Sequence, residues 1–203
     1  ITSVYSPIKT SNNKKLMFAE FLNIIFKSLK LDKNLYKNNK NFEEAGIYYA
    51  ISIIILTALI SVIPNKVILS FASLYFGEVK SPRLASILFT SGFVWLLKSL
   101  YLFVVGLILF PTKQIKSGFK KTLITVGFAH APFIFYFLIL DLRLIFLTLI
   151  IYLWYSATLI VGINQVYQFN NIFKSTIIVL APIIILIIYT LYYLSNIPNG
   201  VLS

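Results

Sequence analysis

The string VGFAHAPFIF, Val126 to Phe135, holds the only histidine in the chain, with a proline two residues behind it. His130 is the ninth of 19 residues in an apolar run from Thr122 to Leu140. An imidazole can serve as a base, a proton carrier or a metal ligand. Each role needs partners, and the sequence supplies few. Asp141 stands about three helical turns further on, at a rise of ~1.5 Å per residue. There is no HExxH, no glycine-rich phosphate loop and no serine elbow, and the chain has no cysteine. The expectation is a protein without cofactor or metal and without enzymatic chemistry. Two roles for His130 stay open. One is a neutral ring bonded across helices, or to the carbonyl that Pro132 frees; the other is a ligand or proton site.

Three further polar positions fall inside or beside apolar runs. Lys98 lies within the run Leu84–Phe110, closer to its outer end if Phe110 marks the inner border. It can snorkel along its aliphatic stem, pair with Asp141, or bind substrate. Asp141 and Arg143 read as a charged turn between two runs. Asn164 and Gln165 end another run and read as helix-end polar groups or partner contacts. Groups of this kind are costly in a bilayer and usually face protein or water.

The elements that carry them are set by composition. The 203 residues are 59% hydrophobic and 12% charged, with a mean hydropathy of +0.87, against about 25% charged residues in soluble domains. Several runs exceed the ~18 apolar residues that cross a hydrocarbon core. The expected fold is all-α: a polytopic membrane bundle of about five spans. These are Ala45–Ile63 (closed by Pro64 and Asn65), a span within Leu84–Phe110, Thr122–Leu140, Leu144–Ile163 and Ser175–Leu194. NQVYQFNN, Asn164 to Asn171, reads as a loop, and Val67–Phe76 as an interfacial segment too short to cross.

Ahead of the spans, residues 1–15 read as a flexible tail. In Leu16–Leu31, Phe18, Phe21, Leu22, Ile25 and Leu29 share one helical face and Glu20, Asn23, Lys27 and Lys30 the other. Such a basic amphipathic helix either lies in the membrane interface or docks onto its own bundle. Within the spans, Gly127 with Ala131 and Gly46 with Ala50 form small-xxx-small pairs that admit a close neighbouring helix. Pro132 and Pro182 are expected to kink or loosen their helices, since each lacks an amide proton.

Five spans place the amino-terminal tail and the loops after the second and fourth spans on one side. They carry thirteen lysines, against Lys66, Lys80, Arg83 and Arg143 on the other. The positive-inside rule then puts the amino terminus in the cytoplasm and the carboxyl terminus outside. The net charge of +12 reads as a topology signal with attraction to anionic lipids, not to nucleic acid.

With this order of spans, GFKKTLITVGFAHAPFIFYFL and LWYSATLIVGINQVYQFNNIFKSTIIVLAP resemble the Yip family, the Ypt/Rab-interacting integral membrane proteins. The matching positions are Gly127, Phe128 and Pro132 in the third span, Trp154 and Gly162 in the fourth, Tyr167 in the following loop and Pro182 in the last. The resemblance runs from about Lys30 to Leu194. It implies a five-span bundle with a cytoplasmic amino terminus and, for eukaryotic members, Rab binding in vesicle traffic. The eukaryotic aspartate–leucine–tyrosine–glycine motif is missing; LDKNLYKNN comes nearest, without the glycine. Sixteen lysines against two arginines suggest an AT-rich coding background. The expectation is a bacterial member in the inner membrane, with endoplasmic reticulum or Golgi as the alternative. It would organise membrane or recruit a protein partner, another copy of itself included, at the cytoplasmic face. The alternative function is a small transporter or channel using Lys98, His130 and Asn164.

Overall fold

The structure, a computed structural model, describes residues 10–36, 45–66, 82–111, 118–139 and 146–195, with the single positions 69, 73 and 144. Among these residues every regular element is helical. They are α1 (Thr10–Leu29), a 3-10 turn (Lys33–Tyr36), α2 (Gly46–Ile60), α3 (Leu84–Leu109), α4 (Phe119–Ala129), a 3-10 segment (Ala131–Leu138), α5 (Phe146–Val166) and α6 (Ile172–Ser195). Four helical stretches are long and apolar enough to cross a membrane: Gly46–Lys66, Leu84–Leu109, Phe119–Leu138 and Phe146–Val166. The chain is an all-helical membrane bundle. α6 has 24 residues, or ~36 Å of helix at 1.5 Å per residue.

α4 lies at the centre, packed on α2, α3 and α5, while α6 packs on α5 and α3. The inner faces hold Ile53, Ile124, Val126, Phe128 and Ile163, all buried. The outer faces carry bare Phe89, Phe93, Ile108, Leu149 and Leu153, which only a hydrocarbon solvent accommodates in such density. Small residues bring α2 and α4 together. A Cβ added to Gly127 would meet Ala50, and one added to Gly46 would lie 3.0 Å from the Ile124 side chain. Gly46, Ala50 and Gly127, three of the four small residues paired in the sequence, therefore lie in the contact between α2 and α4.

Several borders differ from the sequence expectation. Helical structure continues past Ile63 to Lys66 after a break at Ser61. Pro64 falls in the first turn of that continuation, where a missing amide costs nothing. α5 runs on to Val166, so Asn164 and Gln165 are helical rather than in a loop. It closes on Gln168, whose φ of 52° is left-handed. The Phe169 amide then bonds to Asn164 O and the Gln168 amide to Gln165 O, a Schellman ending. α1 ends the same way on Leu31, φ 56°, with Asp32 N to Lys27 O and Leu31 N to Ser28 O. α6 starts at Ile172, three residues early, because Asn171 Oδ1 accepts the Phe173 amide at 2.8 Å, an N-cap bond. It continues through Pro182 as helix.

Two corrections matter more. α1 begins at Thr10, inside the stretch read as a flexible tail. Its apolar face is also divided. Ile24, Ile25 and Ser28 are buried on the bundle, whereas Phe18, Leu22 and Phe26 remain exposed. The third span is not one kinked α-helix but α4 followed by eight residues of 3-10 helix. At ~2.0 Å per residue the 3-10 part stretches the span, so 20 residues reach roughly 32 Å. Asp141, Arg143 and the segment Val67–Phe76 lie outside the described residues.

Candidate functional site

His130 sits at the junction between α4 and the 3-10 segment, with φ −72° and ψ −8°. Its amide bonds three residues back to Gly127 O, and Phe133 N bonds to His130 O. Pro132, the second residue of the 3-10 segment, has no amide proton to give to Phe128 O. That carbonyl is not left bare. Ser28 Oγ of α1 donates to it at 2.7 Å, across 100 positions of sequence. The expectation that His130 takes the freed carbonyl is thus replaced by a different pairing. His130 Nδ1 bonds to Val126 O at 2.6 Å instead. A carbonyl only accepts, so Nδ1 carries the proton and donates.

Around this junction the resemblance residues act as fasteners. Trp154 Nε1 donates to Leu29 O at 3.0 Å, satisfying one of the carbonyls a helix end leaves free. Gly162 receives the Tyr36 ring and the Thr125 methyl; a Cβ there would lie 3.1 Å from the ring and 2.5 Å from the methyl. Tyr167 packs over Gly106 of α3, exchanges a 2.9 Å hydrogen bond with Thr122 Oγ1 and reaches Leu102 O at 3.4 Å. Burial pushes its hydroxyl up to about 12, against a smaller opposite pull from the Thr122 bond. Asn164 stands apart, accepting a long 3.5 Å contact from Ser175 Oγ. Removing the Tyr167 hydroxyl alone (Tyr167→Phe) should lower stability by about 1 kcal/mol. Thr122 keeps its 3.0 Å bond to Gly118 O, which holds the loss at that size; unfolding of the purified protein in detergent measures it.

A half-open cavity of about 190 Å³, its surface mostly apolar, lies between α2, α3, α5 and the 3-10 segment. Thr57, Ser61, Thr90, Ser91, Lys98 and His130 supply its polar lining, and Phe133, Tyr136 and Tyr152 form an aromatic wall. Two of the three residues named for a transport path, Lys98 and His130, therefore share this chamber; Asn164 does not line it. The Lys98 ammonium sits 4.8 Å from the Tyr155 ring centroid, and the same ring packs edge-on to His130 at 5.0 Å. No family model, no curated protein and no solved structure matches this chain. What the site does must be read from its own residues. The hydroxyl lining was missed from the sequence, although a signal existed. Thr57, Ser61 and Asn65 recur every four residues on α2 and its continuation, as do Ser86, Thr90 and Lys98 at multiples of four on α3. Each series is one helix face.

Proposed function

We propose that the protein is a non-enzymatic integral membrane protein of Yip type that uses its cytoplasmic face, led by α1, to organise membrane or recruit a protein partner. The carrying observation is the way α1 is mounted. Ser28 and the Leu29 carbonyl tie its end to the bundle, and Tyr49 Oη donates to Glu20 at 2.8 Å. Thus held, it still presents Phe18 (63% exposed) and Phe26 (59%) on an uncovered edge. Lys27 and Lys30 follow on the polar side. A helix fixed on one face, apolar on the second and basic on the third suits the boundary between lipid headgroups and water. The lysine count supports a cytoplasmic position for it, and the excess of lysine over arginine with the missing eukaryotic motif supports a bacterial inner membrane.

The test is the triple change Phe18→Ser, Leu22→Ser and Phe26→Ser, which spares every bundle contact just named. Wild-type protein carrying a photo-crosslinking residue at Ala19 should give a defined adduct in its native membrane. The triple variant should insert and unfold like wild type yet lose most of that adduct. An undiminished adduct would remove α1 from the functional face. A small transporter or channel is the second reading, favoured by the meeting of Lys98 and His130 in one chamber. Unchanged flux in reconstituted vesicles after His130→Ala would count against it.

A further inference from the structure

We infer that the chamber at Lys98 and His130 is a binding site for a single phosphate-type oxyanion. Lys98 is the starting point. Its ammonium lies within a membrane span, and among the described residues it meets an aromatic face but no carboxylate. A snorkelling lysine carries its charge toward the interface; this one is held over the Tyr155 ring, beside a cavity. A cation so placed needs a counter-charge, and among the described residues the chamber lining contains no acidic side chain. An entering anion would supply it.

The remaining lining fits that guest. Ser91 and Thr90 face the chamber and have no hydrogen-bond partner among the described residues, so both hydroxyls are free to donate. Nδ1 of His130 donates to Val126 O, so Nε2 is the unprotonated ring nitrogen and can only accept, which suits the P–OH of a hydrogen phosphate and not a bare phosphate oxygen. A second recess of about 310 Å³ adjoins the chamber, shares Ser61, Thr90 and Ser91 with it, and adds Asn65, Pro82 and Ser86. Polar groups therefore continue from Lys98 toward the end of the bundle where α2 finishes and α3 begins. A cation would be repelled by Lys98 along this route; a neutral solute would leave the charge uncompensated.

The phosphate group has two sources, a free ion arriving through the recess or a lipid headgroup entering past exposed Thr90 and Val94 on the flank of α3. Binding is a separate property from partner recruitment by α1, and it holds whether or not the ion crosses the membrane.

The experiment uses the full chain in nanodiscs. In purely zwitterionic lipid, calorimetric titration with inorganic phosphate reads the free ion. In discs containing phosphatidylglycerol and no phosphate, native mass spectrometry reads the retained lipid. Wild type should show one saturable phosphate, or one retained phosphatidylglycerol, per chain. Lys98→Met should weaken that event at least about tenfold, as loss of a desolvated charge partner does, while Lys98→Arg should preserve it. Lys98→Met removes a charge from an apolar helix, so it should fold, and its unfolding curve checks this directly. The proposal is overturned if Lys98→Met binds like wild type, which would assign binding to surface lysines. It is equally overturned if neither arm shows a Lys98-dependent event.

Discussion

Gly127→Val is expected to cost the bundle about 3 kcal/mol or more, the upper range for overpacking a close contact. A Cβ at this position would meet the Ala50 Cβ and lie 3.0 Å from the Ala50 Cα. The obstacle is backbone, so no rotamer change on α2 can relieve it. Valine adds three carbons where even one is too many. α4 would have to move off α2, and α4 is the helix against which α2, α3 and α5 all pack. Gly127→Ala should lie between valine and wild type. Gly92→Ala is the control, because nothing stands within 4 Å of a Cβ there, and alanine is the better helix former by up to ~1 kcal/mol. Denaturant unfolding in mixed micelles would order the variants Gly92→Ala, wild type, Gly127→Ala, Gly127→Val from most to least stable. A Gly127→Val protein that unfolds with wild type would show that α2 and α4 do not touch through small residues.

What the sequence made legible follows from which interactions are local. Apolar runs long enough for a bilayer, the small residues at Gly46, Ala50 and Gly127, and the missing amide of Pro132 can all be read from spacing and residue type. The partner of the Phe128 carbonyl cannot, since Ser28 lies 100 positions away and its environment looks like any amphipathic helix. The same holds for the split face of α1. Periodicity marks which residues are apolar, not which of them meet protein and which meet lipid. The left-handed helix ends at Leu31 and Gln168 were hidden because neither position holds the glycine that usually signals them. Pro132 announced a disturbance in the third span but not its extent. The eight-residue 3-10 run is unusually long for that geometry. The segment rests on α2 and α5, and Phe133 is wedged against the rings of His130, Tyr152 and Tyr155. Of the chemistry-bearing residues, Lys98 and His130 proved to be neighbours although 32 positions separate them. The sequence grouped them only as intramembrane polar residues, together with Asn164, which does not line the chamber.

Tyr36 and Gly162 should show a measurable coupling, and this tests how α1 is coupled to the membrane bundle. Tyr36 ends the 3-10 turn after α1, is 2% exposed, stands 3.5 Å from Ser28 Oγ and tilts against Phe128 at 6.5 Å between centroids. Burial raises its hydroxyl above the usual tyrosine range, so it remains neutral at any ordinary pH. Tyr36→Ala should destabilise by about 3–5 kcal/mol, as deletion of a buried aromatic side chain does, and should open the segment after α1 to protease. Gly162→Ala places a methyl 3.1 Å from that ring and 2.5 Å from the Thr125 methyl, which should cost about 1–3 kcal/mol. In a chain that already lacks the Tyr36 ring, the smaller part of that conflict is gone. The double variant should therefore be more stable than the sum of the single losses by roughly 1 kcal/mol, within the range seen for touching residues. The Thr125 conflict would persist, so the relief is partial. Adding Thr125→Ala should complete it with little further loss, because the Thr125 hydroxyl is buried without a partner and its removal leaves no bond unmade. Strict additivity of Tyr36→Ala and Gly162→Ala would mean that the ring is not seated over Gly162. α1 would then be held by the bonds of Ser28, Trp154 and Glu20 and by its buried Ile24 and Ile25.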